Sequence, residues 1–171
     1  MIFVTAGTEQ YPFDRLMRWL DLLQQHQLLQ DDIVVQYGNS TYLPEGSKVY
    51  KFVKEERFKA LIYAADLVIA HCGEGTVLLL DSIKKPYILV PRTHAFGEHV
   101  DNHQIEMALA LSEMDVPVAW SLGDIVRFVI EPKYYPISDI SEQKAKAICQ
   151  SLNQRFARKV PENIVSGGIA T

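Results

Sequence analysis

The residues able to do chemistry in this chain gather in short polar turns. The most suggestive is Ala70-His71-Cys72-Gly73-Glu74-Gly75-Thr76, directly after the apolar run Leu67-Val68-Ile69. Two glycines let a backbone approach a ligand closely and aim its amide groups at it. Gly7-Thr8-Glu9-Gln10 follows a second apolar run, Ile2-Phe3-Val4-Thr5-Ala6. A turn between a strand and a helix presents free amides and partial positive charge, which suits phosphate oxygens. Taken singly, each is more simply a tight turn. Neither is a dinucleotide G-x-G-x-x-G, and no G-x-x-x-x-G-K-[ST] exists. Glu74 opposes a phosphate contact unless its side chain turns away.

A longer loop runs from Arg92 to Gln104 and carries His94, Glu98, His99, Asp101, Asn102 and His103. His99 and His103 stand four residues apart, a spacing open to metal ligation on a helix. No H-E-x-x-H is present and the stretch from Pro91 to Val100 reads as loop, so no metal is expected. Asp101, Asn102, His103 and Gln104 crowd donors and acceptors together, as sugar hydroxyls require. The plainer reading is a solvated polar loop. Cys72 reads as a small buried residue and His71 as a core residue with a satisfied hydrogen bond. No Ser-His-Asp arrangement follows from spacing.

These turns need a scaffold, and the chain alternates strand and helix throughout. Strands are expected at Ile2 to Ala6, Ile33 to Val35, Val49 to Val53, Leu67 to Ala70, Tyr87 to Val90 and, short, Val116 to Trp120. Their continuous apolar character fits burial on both faces. Helices are expected from about Phe13, from Glu55 to Ala65, from Thr76 (its side chain the cap) to Ile83, from about Asn102, and from Ile125 to Ile130 after Ser121 or Asp124. A last helix over 141–160 and a frayed tail over 161–171 complete a single domain over 1–171. The fold class is α/β, a doubly wound parallel sheet, and adjacent turns at one edge of such a sheet are where ligands bind.

Composition agrees. At 48% hydrophobic and 22% charged residues the chain is an ordinary globular sequence. A net charge of -4 argues against nucleic-acid binding. Two cysteines without ligand or disulfide spacing suit a reduced compartment. No charged region precedes the first strand, so no signal peptide is expected, and no apolar run is long enough to span a bilayer.

Three stretches carry a family resemblance. They are Met1 to Thr8 with Pro12-Phe13-Asp14-Arg15-Leu16; Ala64 to Thr76; and Lys85-Pro86 through Arg92 with Phe96-Gly97-Glu98-His99-Val100-Asp101-Asn102-His103-Gln104. In that order they resemble the glycosyltransferase family 28 C-terminal domain. They are most similar to its stand-alone donor-binding subunits: the small subunit of the dolichol-linked N-acetylglucosaminyltransferase and bacterial exopolysaccharide counterparts. The resemblance implies a Rossmann-like half of a GT-B fold and a hexosyltransferase subunit inactive without its partner. It implies a UDP-sugar as substrate, no cofactor, and a membrane-associated partner that holds a lipid-linked acceptor and supplies the catalytic base. The setting it implies is cytoplasmic, peripheral at the inner membrane through that partner.

By resemblance, phosphates would meet Gly7, Thr8, Gly73, Glu74, Gly75 and Thr76. The base would lie near Phe52 and Val53, and the donor sugar near Asn102, His103 and Gln104. The chain departs from the family at Leu79, where members carry a glutamate for the ribose hydroxyls. That departure motivates the alternative, a non-catalytic enhancer of a glycosyltransferase with a degenerate donor site. A third reading, a phosphosugar enzyme such as an epimerase, ranks last.

Overall fold

A computed structural model describes residues 1–137; the helix expected over 141–160 and the tail over 161–171 lie outside the described residues. The strands are β1 (Ile2–Thr5), β2 (Ile33–Gln36), β3 (Lys48–Tyr50), β4 (Leu67–His71) and β5 (Tyr87–Val90). They form one parallel sheet in the order β3-β2-β1-β4-β5. Every residue of β1, β2, β4 and β5 is buried, which accounts for sequences that are apolar up to the polar last residues Thr5, Gln36 and His71. β3 stops at Tyr50, earlier than its sequence suggests, and Lys51 to Val53 continue as loop. The sixth strand is reduced to one parallel bridge, Val118 to Leu89. Pro117 lies within it and has no amide to donate to a ladder.

The helices are α1 (Asp14–Gln25), α2 (Glu55–Ala64), α3 (Glu74–Ile83), α4 (His103–Ser112) and α5 (Leu122–Ile130). Leu16, Leu20 and Leu23 of α1 and Ile125 of α5 pack with Val4, Val35, Ile69 and Ile88 on one face of the sheet. Ile62 of α2, Val77 and Leu80 of α3 and Ala108 and Leu111 of α4 pack with Phe3, Val68 and Leu89 on the other. This is the doubly wound arrangement, with helices burying one apolar stripe each. Ser121 caps α5 in a capping box with Asp124. α3 departs from the expected start. Gly73 is its extended N-cap, and Thr76 lies inside the first turn, its amide donating to the Gly73 carbonyl at 3.0 Å.

The loops at the C-terminal edge of the sheet are stapled by buried polar groups. Arg92, in a stretch that reads as solvated, is fully buried. Its guanidinium donates to the carbonyls of Ala6 at 2.6 Å, Tyr11 at 2.9 Å, Pro12 at 3.3 Å and Glu98 at 2.8 Å. It also lies over the Phe13 ring, 4.6 Å from the centroid. Burial draws its pKa down to about 10, against the pull of the Glu98 carboxylate, so it remains cationic at neutral pH. Glu98, also buried, takes a two-pronged bond from Arg15 at 2.9 and 2.8 Å and a third from the Thr93 amide at 3.1 Å. The Gln104 side-chain carbonyl receives the Arg92 amide at 3.2 Å.

Replacing Arg92 by Met leaves buried carbonyls without a donor, each costing about 1–3 kcal/mol. Urea denaturation of Arg92→Met is expected to show a loss of at least about 3 kcal/mol by the same reckoning. Hydrogen exchange should quicken first in the loops after β1 and β5 while the strands remain protected.

Candidate functional site

β1 and β4 are parallel neighbours, with Thr5 opposite Ala70, so the turns that follow them leave the sheet side by side. The imidazole of His71 fills the space between them. A Cβ built on Gly7 would lie 2.5 Å from its Cε1, and one on Gly73 would lie 2.5 Å from its Nε2. Gly7 also has φ +79°, which favours glycine independently of space. His71 is 8% exposed, and its Nδ1 has no hydrogen-bond partner. Burial, and then the charge of Arg92, push its pKa down to about 4, with a ring bond to the backbone of Thr5 acting the other way. The ring is therefore neutral at physiological pH.

A cavity of about 300 Å³ opens at this point. Thr5, Gly7, Thr8 and Glu9 line one side, His71 and Thr76 a second, and Val53, Glu55 and Phe58 a third. Gln36, at the end of β2, completes it, its Nε2 donating to the Gly7 carbonyl at 3.4 Å while its buried Oε1 has no partner. No side chain caps α3. The amides of Thr76 and Val77 return to the Gly73 carbonyl, so Glu74 and Gly75 hold the first-turn amides that have no intrahelical acceptor. They stand at the positive pole of a ten-residue helix. The Gly7 amide is not free, because it donates to Thr5 Oγ1 at 3.1 Å. A second groove, about 460 Å³, is formed by α1 and the loop after β5, with Arg15, Trp19 and Phe96 in its wall. It shares no residue with the first.

Of the residues singled out in the sequence, Gly7, Thr8, Val53 and Thr76 line the cavity, and Gly73 abuts His71 beside it. Glu74 and Gly75 form the start of α3, exposed and outside the lining. Phe52 is 47% exposed on the adjoining loop. Asn102, His103 and Gln104 sit together at the start of α4 and do not line the cavity. Asn102 Oδ1 receives the His94 amide, the His103 amide donates to Asp101, and Gln104 is buried against Arg92. Sequence reasoning did not single out Gln36, Glu9, Glu55 or Phe58, all in the lining. The signal for Gln36 was a polar residue closing an otherwise apolar strand, and that for Glu55 its place just beyond Val53.

Leu79 is half-buried and packed against the apolar cluster of its face. The Asp81 carboxylate is occupied, accepting from Tyr134 Oη and the Ile137 amide, both at 2.8 Å. Cys72 is buried, and burial pushes its thiol up to about 12, which removes it as a nucleophile at neutral pH. Among the described residues no cluster of three or more His, Cys, Asp or Glu side chains has the arrangement to hold a metal ion.

The model of the Glycosyltransferase family 28 C-terminal domain matches residues 1–159. The chain belongs to this family. It is 35% identical over 115 residues to a UDP-N-acetylglucosamine--N-acetylmuramyl-(pentapeptide) pyrophosphoryl-undecaprenol N-acetylglucosamine transferase of Prochlorococcus marinus, covering 64% of this chain and 30% of that protein. It is 32% identical over 119 residues to the UDP-N-acetylglucosamine transferase subunit ALG13 of Homo sapiens, covering 64% of this chain and 10% of that protein. The matched stretch is thus less than a third of each relative's length. Among solved structures, the glycosyltransferase SnogD from Streptomyces nogalater superposes with a TM-score of 0.51 at 17% identity, over 90% of this chain and 39% of that one. That likeness is one of fold, and the sheet is the Rossmann-like half of a GT-B architecture.

Two outcomes follow from the His71 wedge. Gly73→Ala is expected to cost about 1–3 kcal/mol, the range for overpacking, and Gly73→Ala with His71→Ala to recover most of it. Gly7→Ala with His71→Ala should stay impaired by about 1–2 kcal/mol, because its left-handed backbone remains; urea denaturation of the single and double variants reads both. The second outcome concerns pH. The folded pKa of His71, about 4, lies below its ordinary 6.5, so the unfolded chain takes up the extra proton between them. Its stabilising contribution is complete above pH 6.5 and is lost as pH falls toward 4, by about 3 kcal/mol at about 1.36 kcal/mol per pH unit. His71→Gln should lack that part of the acid destabilisation, measured as the difference between the two proteins across that range.

Proposed function

We propose that this chain binds a UDP-sugar and serves as the donor-binding subunit of a split hexosyltransferase. The single observation that carries the reading is the convergence of two strand-end turns on either side of His71, beside the uncapped start of α3. Backbone amides and a helix pole placed there hold a diphosphate before transfer, and stabilise the charge it gains as the sugar leaves. The pocket wall contains no lysine or arginine, so this stabilisation falls to amides and hydroxyls. The UDP-sugar enters as substrate and no cofactor is invoked. UDP-N-acetylglucosamine is the first donor to test, since the matched relatives are named for it.

The acceptor side and the catalytic base are assigned to a separate, membrane-associated subunit carrying a lipid-linked acceptor, in exopolysaccharide or glycolipid synthesis. One relative is by name a subunit, and no described helix is long and apolar enough to cross a membrane. The chain would then act on the cytoplasmic side, held at the membrane through its partner.

A second reading, a non-catalytic enhancer with a decayed donor site, draws on Leu79. That side chain is half-buried against the core, and Asp81 is committed elsewhere, so α3 brings no acid beyond its first turn to the pocket. Saturation-transfer NMR separates the two. Millimolar UDP and UDP-N-acetylglucosamine are expected to receive saturation from the protein, and Gly73→Ala to abolish it. Absence of transfer to either nucleotide would overturn the donor reading in favour of the enhancer.

A further inference from the structure

We propose that Glu55 holds the vicinal hydroxyls of the bound nucleoside and thereby makes the pocket prefer a ribonucleotide to its 2′-deoxy counterpart. The inference rests on the donor reading above and deepens it.

The cavity is electrically divided. One end has the hydroxyls of Thr8 and Thr76, the latter in the first turn of α3, whose start is uncapped. The rest carries two carboxylates, Glu9 and Glu55, and no cationic residue in its lining. An ionised carboxylate only accepts hydrogen bonds and repels a phosphate, so it suits the part of a ligand that presents donors. Adjacent hydroxyls are such a part. The unpartnered Gln36 Oε1 and His71 Nδ1 mark this as a built polar cavity, since buried groups of that kind are ordinarily satisfied.

Position distinguishes the two acids. Glu9 follows Thr8 in the turn after β1, beside the diphosphate end. Glu55 opens α2, two residues after Val53 and three before Phe58, the apolar side chains of the lining against which a flat base packs. Residues three apart share a helix face. The hydroxyls of a nucleoside belong to the ring that bears the base, so their acceptor must stand next to the base site. Glu55 satisfies that requirement from the same connection. Lys59 Nζ donates to Glu55 Oε1 at 2.6 Å and lowers the pKa of the carboxyl, keeping it ionised as an acceptor.

Calorimetric titration of the whole chain with UDP and with 2′-deoxy-UDP tests the assignment. The wild type is expected to favour UDP about tenfold, the effect of one hydrogen bond to a charged group. Glu55→Ala should weaken UDP about a hundredfold and 2′-deoxy-UDP, which still offers its 3′-hydroxyl, about tenfold, and bring the ratio near one. Lys59→Ala, which removes the ion pair but not the carboxylate, and Glu9→Ala should both keep the preference. A Glu55→Ala protein that still favours UDP, a Glu9→Ala protein that does not, or a wild type that binds both alike would overturn the assignment while leaving the donor reading intact. A wild type that binds neither nucleotide would overturn both.

Discussion

A buried cation organises the working edge of this sheet. Arg92 can be out of water only if its donors find acceptors, and they find them in the carbonyls of Ala6, Tyr11, Pro12 and Glu98. Those carbonyls belong to the turn after β1 and the loop after β5, which the sheet itself leaves free. Arg15 and Glu98 repeat the tie a few ångströms out, and Gln104 closes it on the backbone of Arg92. The two loops therefore have one arrangement, because any other leaves a buried charge or several carbonyls unpaired. The same guanidinium reaches the pocket through its field, opposing a proton on His71.

A neutral, wedged His71 then explains the composition of the turns around it. Its ring stands where the side chains of residues 7 and 73 would be, so both positions require glycine for reasons of space, and Gly7 also for its backbone angle. The glycines in these turns are thus complements of an imidazole. The cavity offers the hydroxyls of Thr8 and Thr76 near the amides at the start of α3, and no lysine or arginine lines it. Such a site is preorganised by the fold, since its donors are fixed by the strand and helix that carry them.

The sequence made the scaffold legible because burial on both faces leaves a plain mark. Ile2-Phe3-Val4-Thr5 and Leu67-Val68-Ile69-Ala70 have no polar face, which only a sheet covered on both sides explains. The turn after β4 was legible for the same reason, since a strand that stops at glycines and resumes as helix has few alternatives. The role of Arg92 was hidden. Arginine, glutamate and glutamine in a long loop look solvated, and their burial depends on backbone from a turn some 80 residues away. Short-range signals also misplaced detail. Thr76 has the side chain of a cap, but the extended backbone of Gly73 starts the helix three residues earlier. Val116 to Trp120 has a strand's composition, yet Pro117 limits its pairing.

The motifs that reveal the family therefore perform two different tasks, and their sequence does not separate them. Gly7, Thr8, Gly73 and Thr76 face the cavity or the ring beside it, whereas Phe13, Arg15, Glu98 and Gln104 never reach it and instead fix the loops in register. Asp14 belongs with the second group, its carboxylate taking the amides of Thr41 and Tyr42 and so anchoring the long connection between β2 and β3 to α1. Leu79 falls outside both sets. It packs against the apolar cluster of its face and belongs to neither the cavity lining nor the loop staple. The acids in the lining, Glu9 and Glu55, come from the turn after β1 and the start of α2. Carboxylates on one side and the open start of α3 beside the other thus make the cavity electrically uneven, a consequence of which elements the sheet brings to this edge.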